Sequence, residues 1–98
     1  MTDAEITDNA ASSRLQAEMD GLLAVLTYRR VGKRLVLVHT GVPPELDGHG
    51  LGGQLVRAAS RKAAAEGLTL VPLCPFARSW LERHPDEAAT VTVDWNAS

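Results

Sequence analysis

A glycine-rich segment in the middle of the chain is the first feature that could do chemistry. Four glycines stand within six residues, where a helix is predicted to begin: Gly48, Gly50, Gly52 and Gly53. Glycine lets backbone N–H groups approach a ligand and adopts positive φ at little cost. The start of a helix adds unpaired N–H groups and the positive end of the helix dipole. The segment therefore predicts a cradle for phosphate groups, and a flexible turn without a ligand is the alternative.

Two familiar phosphate-binding motifs do not account for this segment. The P-loop requires Gly-Lys-Ser/Thr, and that tripeptide does not occur in the sequence. The segment does fit G-x-G-x-x-G, but a dinucleotide fold also needs an acidic residue about 20 positions further on. The candidate, Glu66, lies 13 residues beyond Gly53 and within the predicted helix. Too little chain follows for that fold, so another kind of loop is indicated.

Two side chains at the ends of predicted strands could act as a nucleophile or a base. Cys74 precedes Pro75, and proline favours the first position of a helix, so the sulfur would lie at the positive helix end. Such placement lowers the pKa of a thiol, although a small buried core cysteine is the alternative. His39 could be a general base, or a strand-end histidine held by a hydrogen bond. The two could reach a common volume if they face the same side of the sheet.

The composition limits the classes of protein to which the chain can belong. Ninety-eight residues, 45% hydrophobic and 22% charged, predict one globular domain spanning 1–98. The net charge of −2 argues against nucleic-acid or membrane partners. The single cysteine suits a reducing compartment, and there is no signal-peptide pattern or apolar run of about 18 residues. We therefore expect a cytoplasmic protein, with no metal site and with an oligomeric state that the sequence does not predict.

The residues before the glycine-rich segment predict an antiparallel meander. Strands are expected at Arg14–Met19, Leu22–Arg30 and Arg34–Thr40, because polar and apolar residues alternate or β-branched residues dominate. Asp20-Gly21 between the first two strands is a strong hairpin signal. Residues 1–12 are small and polar, and we expect them to be frayed.

A helix and a parallel strand are predicted to follow. Apolar or small residues recur on one face of Leu51–Glu66, which indicates a helix packed on the sheet. Leu68–Cys74 is then a short buried strand parallel to the third one. Pro72 lies inside it, and either prevents local pairing so that the two strands splay, or is an edge residue facing solvent. A short helix over Pro75–His84 and a final strand over Thr90–Trp95 complete the prediction.

Two longer motifs resemble a known family. They are His39-Thr-x-Val-Pro-Pro-Glu-Leu-x-Gly-x-Gly-Leu and Val71-Pro-Leu-Cys-Pro-Phe76, the latter followed by Arg83-His-Pro85. They are similar to the very short subfamily of the Gcn5-related N-acetyltransferases, over roughly residues 14–86. The resemblance implies an α+β fold, in which a meander leads through a helix to a splayed parallel strand.

The resemblance also implies acetyl-CoA as the cofactor and acetyl donor. It places the diphosphate on the backbone N–H groups of the glycine-rich segment and the pantetheine arm along the end of the third strand. The implied cofactor-binding residues are Thr40, Val42, Gly48, His49, Gly50, Leu51, Gly52, Gly53 and Phe76. The predicted catalytic residues remain Cys74 and His39, on the chemistry given above. One departure is Asp47, which stands where the broad superfamily has Gln or Arg, and an acid there would repel a diphosphate.

The predicted activity is transfer of an acetyl group to an amine on a small molecule or a protein. Either the amine attacks directly, or Cys74 first accepts the acetyl group. A non-catalytic acyl-CoA-binding or regulatory module is the alternative, because the chain lacks the two helices that larger relatives insert before the meander. A redox-active Cys74 is a third hypothesis.

Overall fold

The predicted meander forms the centre of a five-stranded sheet. The computed structural model describes residues 5–96, and β2 (Arg14–Met19), β3 (Leu22–Val31) and β4 (Arg34–Gly41) pair antiparallel in sequence order. Asp20 and Gly21 both have positive φ, 55° and 75°, as a type I′ hairpin turn requires. The α+β class and the three strands are therefore confirmed.

The segment expected to be frayed is ordered from residue 5 onward. Strand β1 (Glu5–Asn9) pairs antiparallel with β2, and a turn of 3-10 helix follows at Ala10–Ser12. The prediction of a frayed segment was wrong for residues 5–12. Strand β1 is held by Asp8, whose hydrogen-bond partners Tyr28 and Lys62 are far away in the sequence. Residues 1–4, which fell within the same prediction, lie outside the described residues.

Helix α1 (Leu51–Glu66) has the predicted bounds and leads to β5 (Thr69–Pro72), which pairs parallel with β4. Gly67 ends the helix in the left-handed conformation, with φ of 68°. The predicted apolar face of α1 is buried: Gly52, Leu55, Val56, Ala59 and Ala63. Helix α2 (Pro75–Arg83) follows as predicted, and a single turn, α3 (Pro85–Ala88), comes after it.

The predicted final strand is reduced to one bridge. Val93 pairs parallel with Leu70, whose N–H donates to Thr92 and whose carbonyl accepts from Asp94. The next rung of a parallel ladder would need an N–H from residue 72, and proline has none. The strand predicted over Thr90–Trp95 therefore does not form.

Pro72 acts differently from both sequence-based interpretations. The N–H group of Thr69 donates to the carbonyl of Lys33, just before β4, and that of Leu73 donates to Leu37 in β4. Residue 72 therefore points its missing donor away from β4. Pro72 still pairs with Leu37 in the register, and its side chain is buried. It neither breaks the pairing with β4 nor faces solvent, but limits pairing on the outer side of β5.

The two faces of the sheet differ in how they are covered. On the covered face, side chains of β2 to β5 pack with α1 and α2 in one core that includes Leu26, Leu37, Leu55 and Leu81. The opposite face, here called the open face, has no buried residue in β1 to β4. Its members are Glu5, Thr7, Asn9, Arg14, Gln16, Glu18, Leu23, Val25, Thr27, Arg29, Val31, Arg34, Val36, His39 and Gly41.

A polar network ties β1 to α1 on the covered side. The Tyr28 hydroxyl donates to Asp8 Oδ1 (2.6 Å), and Lys62 Nζ donates to Asp8 Oδ2 (2.7 Å) and to Glu66 (2.9 Å). Partial burial opposes ionisation of Asp8, but these hydrogen bonds outweigh it and hold the pKa of Asp8 below its ordinary value. The hydrogen bonds to Asp8 and Glu66 raise the pKa of Lys62.

The lowered pKa of Asp8 predicts a pH dependence of stability. Asp8 favours folding above its unfolded-state pKa of about 3.9, and this contribution disappears as the pH falls through the lower, folded-state pKa. Asp8→Asn should therefore lower the free energy of unfolding by about 1 kcal/mol at pH 7. Urea denaturation should show that the difference from the wild type shrinks below pH 4.

Asp20→Asn is the matched control, because it makes the same charge change in a hairpin turn. Asp20 has a positive φ there, which asparagine also adopts. A difference between wild type and Asp8→Asn that stays constant from pH 7 to pH 3 would contradict the assigned role of Asp8.

Candidate active site

The two parallel strands separate beyond Leu37. Strand β4 pairs with β5 from Arg34 to Leu37, and then continues without β5 as a neighbour. The N–H groups of Leu73 and Cys74 both donate to the Leu37 carbonyl, at 3.1 and 2.9 Å, and the chain turns there into α2. The predicted splay is thus present, although the turn into α2 ends the pairing rather than Pro72.

A β-bulge marks the same point of β4. Thr27 pairs with His39 and Tyr28 pairs with Leu37, so Val38 has no partner in β3. A bulge bends its strand and redirects the side chains that follow. Thr40 consequently pairs with the buried Leu26 on the covered face, whereas His39 pairs with Thr27 on the open face.

A cleft of about 470 Å³ lies where β4 departs from β5. It is lined by Thr40, Val42, Leu46, Asp47, Gly48, Gly50, Leu51, Gly52, Gly53 and Phe76. Eight of the nine predicted cofactor-binding residues line this cleft, and His49 is the exception, being exposed in the loop. The structure brings these eight residues together, and their binding of a cofactor stays a prediction.

Glycine is required in this segment for two different structural reasons. Gly48 and Gly50 have φ of 88° and 72°, a conformation that other residues rarely adopt. Gly52 and Gly53 make room for α2, since a Cβ on Gly52 would come within 2.7 Å of the Phe76 ring and one on Gly53 would overlap the Trp80 indole. All four glycines were predicted to serve the ligand, and the close packing of Gly52 and Gly53 against α2 was not predicted.

The amino end of α1 opens into the cleft. Gly50 is its N-cap and offers no side chain to cap the helix, and the first backbone bond of the helix runs from Gln54 to the Gly50 carbonyl. Within the described residues, the N–H groups of Leu51, Gly52 and Gly53 have no backbone partner. These donors and the dipole of a 16-residue helix suit an anionic group.

Asp47, which departs from the pattern of the broad superfamily, also lines the cleft. Its side chain does not cap α1, and among the described residues it forms no ion pair. Leu46 beside it is 1% exposed and anchors the loop in the core. Leu46 and Asp47 are the two lining residues outside the predicted cofactor-binding set, and their place in the Pro-Pro-Glu-Leu-x-Gly motif was the available signal.

Cys74 lies next to the cleft, in contact with one of its lining residues. Its sulfur is 3.3 Å from the Thr40 hydroxyl oxygen, and the residue is 4% exposed. Cys74 is the N-cap of α2 and Pro75 is the first helical residue, as predicted. The sulfur therefore lies at a helix end that favours negative charge and has a hydroxyl that can donate to it.

His39 and Cys74 do not share a volume. Cys74 contacts Thr40 on the covered face, whereas His39 is exposed on the open face. The Nε2 atom of His39 would lie 3.5 Å from a Cβ placed on Gly41, so the ring follows β4 toward its free end. The two side chains do not face the same side of the sheet, as a shared volume would require, because the bulge at Val38 offsets the alternation.

Within residues 5–96, no group of three or more His, Cys, Asp or Glu side chains has the arrangement of a metal site. No helix in this part of the chain is long and apolar enough to cross a membrane.

A family model decides the assignment, since the model described as GCN5-related N-acetyl-transferase matches residues 14–91. The chain belongs to this family. The resemblance stated from the two motifs is thereby confirmed, and the match spans the meander, the cleft and α2. The search of curated proteins found no match.

A solved structure supports the same assignment. The NMR solution structure of a GCN5-like, proposed N-acetyltransferase from Staphylococcus aureus is similar to this chain, with a TM-score of 0.71 and 28% sequence identity. The similarity covers 98% of this chain and 95% of that one. The family member described here therefore shares its fold with another chain of about the same length.

Proposed function

We propose that the protein transfers an acetyl group from acetyl-CoA to an amine. The observation that carries this proposal is the cleft itself, which runs from the amino end of α1 to the point where β4 leaves β5, with Cys74 beside it. One end of the cleft offers unpaired N–H groups, and the other offers a free strand edge next to a thiol. A single domain spanning 1–98 is part of the proposal.

The residues of the cleft fit both the diphosphate and the pantetheine arm of acetyl-CoA. The diphosphate suits the N–H groups at the start of α1 and the positive-φ glycines Gly48 and Gly50. The pantetheine arm carries amides. The backbone from Thr40 to Val42, which has no β5 neighbour, can hydrogen-bond with them as an added strand would. Phe76, which is 41% exposed, gives the arm an apolar surface.

The acetyl thioester supplies an activated carbonyl carbon. His39 on the open face takes a proton from the approaching ammonium group, and the freed nitrogen lone pair forms the new N–C bond. The C–S bond breaks with its electrons on the leaving sulfur, and the Cys74 thiol can protonate that sulfur. In a second route, the Cys74 thiolate attacks the thioester carbonyl and CoA leaves as its thiolate. The amine then attacks the acetyl-cysteine thioester, and the Cys74 thiolate is released as the N–C bond forms.

A binding module without catalysis would use the same cleft, so binding alone does not distinguish the two functions. Release of free CoA in the presence of amines does, since only a transferase accelerates it. The redox hypothesis for Cys74 predicts a thiol that reacts with peroxide, so a thiol that peroxide leaves unchanged would exclude it.

The charge of Asp47 gives the first test of the proposed cofactor. A carboxylate lining the cleft repels a diphosphate, so Asp47→Asn should bind acetyl-CoA about threefold to fivefold more tightly than the wild type. Isothermal titration calorimetry at low and at moderate salt would measure this, and the gain should be smaller at moderate salt.

Asp20→Asn removes the same charge in the β2–β3 turn and should leave the dissociation constant unchanged. If wild type and Asp47→Asn both bind no acetyl-CoA, the proposed function is wrong. If they bind it equally well, the diphosphate does not lie beside Asp47.

A further inference from the structure

Four open-face residues form a compact group beside the strand opening. Arg14 of β2 is directly opposite Thr27 of β3, and Thr27 is directly opposite His39 of β4. Arg29 lies two residues further along β3 on the same face, about 7 Å from Thr27. These four residues are called the cationic patch.

The two arginines of the patch have no anionic partner in the part of the chain that the structure describes. Neither forms an ion pair or a side-chain hydrogen bond, and the Nε atom of Arg14 is buried with no hydrogen-bond partner. Six other cations are paired: Arg30, Arg34, Arg57, Arg61, Lys62 and Arg78. The patch therefore has unused donors for an anion.

The open-face carboxylates of β1 and β2 lie away from the patch, and Asp94 is ion-paired with Arg34. Glu18 is on the same face of β2 but four residues from Arg14, roughly 13 Å along the strand. Glu5 of β1 pairs with Glu18, so it is equally distant in the register. The patch is thus locally positive in a chain whose net charge is −2. An excess of cations in one place on such a chain indicates a preference for an anionic ligand.

The patch also lies on the side from which an acceptor can reach the strand opening. The cleft and Cys74 are on the covered side, where Thr40 points. On the open face, His39 is the last residue of the cross-strand row Arg14–Thr27–His39, and its ring points along β4 toward the strand opening. An amine that reaches the opening across the open face therefore meets His39 after passing Arg14 and Arg29.

We propose that the cationic patch binds the acceptor, and that the acceptor is an amine carrying an anionic group, either a carboxylate or a phosphate. Arg14 and Arg29 hold that group, because guanidinium matches both anions with paired N–H donors. This inference rests on the proposed acetyl transfer and names the substrate class for it.

The test compares amines that differ in the presence of an anionic group. Glycylglycine is paired with glycylglycinamide, and phosphoethanolamine with ethanolamine, so the two pairs report carboxylate and phosphate separately. With acetyl-CoA present, the wild type should give a kcat/KM for CoA release at least about fivefold higher for the anionic member of one pair. The Arg14→Gln, Arg29→Gln double variant should bring that ratio close to one.

Arg83→Gln is the matched control, since it removes an exposed arginine from the end of α2 and should keep the wild-type ratio. Equal use of both members of each pair by the wild type, or a preference that persists in the double variant, would overturn the proposal.

A second measurement separates this failure from failure of the proposed function. Amide NMR spectra of the protein without acetyl-CoA should show glycylglycine or phosphoethanolamine shifting the signals of Arg14, Thr27 and Arg29, and the neutral amines leaving them in place. Calorimetry should show acetyl-CoA binding unchanged in the double variant. If acetyl-CoA binds but the anionic amines cause no NMR shifts at the patch, the proposed role of the patch is wrong and the proposed function stands. If acetyl-CoA does not bind, the proposed transferase function is wrong.

Discussion

We expect Gly50→Glu to weaken acetyl-CoA binding by at least about 30-fold. Gly50 is the N-cap of α1 and lines the cleft, and a Cβ placed there has no atom within 4 Å, so the glutamate has room. Its carboxylate would place a negative charge where the diphosphate is proposed to bind. Like charges a few ångströms apart at a protein surface repel by about 2 to 4 kcal/mol, and 2 kcal/mol corresponds to about 30-fold.

The backbone cost of replacing Gly50 needs its own controls. With φ of 72°, any other residue is strained by about 1–2 kcal/mol. Gly50→Ala introduces this strain without the charge, and Gly67→Ala introduces it at the other end of α1, where φ is 68° and the space is also open. Calorimetry should find a large loss of binding for Gly50→Glu alone. Wild-type affinity in Gly50→Glu, with thermal unfolding showing a folded protein, would remove the diphosphate from this helix end.

The second large effect is expected at Cys74. Cys74→Ala should lower kcat/KM for CoA release by about 100-fold, because it removes either the proton donor to the leaving sulfur or the acetyl acceptor. Acetyl-CoA binding should change little, since the side chain is buried beside the cleft rather than lining it. Steady-state assays with a fixed amine and calorimetry measure the two quantities separately.

Mass spectrometry after mixing with acetyl-CoA alone distinguishes the two roles of Cys74. Only the covalent route predicts an added acetyl group, and the chain has a single cysteine, so a thioester adduct reports this residue. Thr40→Val is the matched variant: it removes the hydroxyl 3.3 Å from the sulfur and keeps the side-chain shape. It should lower kcat/KM for CoA release, whereas Thr40→Ser, which keeps a hydroxyl, should retain the wild-type value. Unchanged CoA release in Cys74→Ala would exclude both roles.

Local patterns predicted most of the fold correctly because the signals lay within each element. The alternation in β2, the Asp20-Gly21 turn and the one-sided apolar face of α1 each depend on neighbours along the chain. The bounds of α1 agree for this reason, with a glycine at each end. Strand β1 was missed because Asp8 is held by Tyr28 and Lys62, which are 20 and 54 residues away.

In the candidate site, too, local features were predictable from the sequence and features that depend on packing were not. The sequence by itself determined which residue types are present and that the glycines stand at a helix start, since both are local. Only the tertiary structure decided that Gly52 and Gly53 face the rings of α2, since that depends on how two helices pack.

Tertiary structure alone also decided which side chains share a face of the sheet. One unpaired residue, Val38, separates His39 from the Thr40–Cys74 pair and places it with Arg14 and Thr27. Strand alternation has a period of two, so a single bulge reverses every assignment beyond it. A bulge arises from the pairing between two strands, so the residues of one strand do not predict it. The sequence therefore determined the chemistry available to this protein, and the register of β3 with β4 decided on which side of the sheet each group can act.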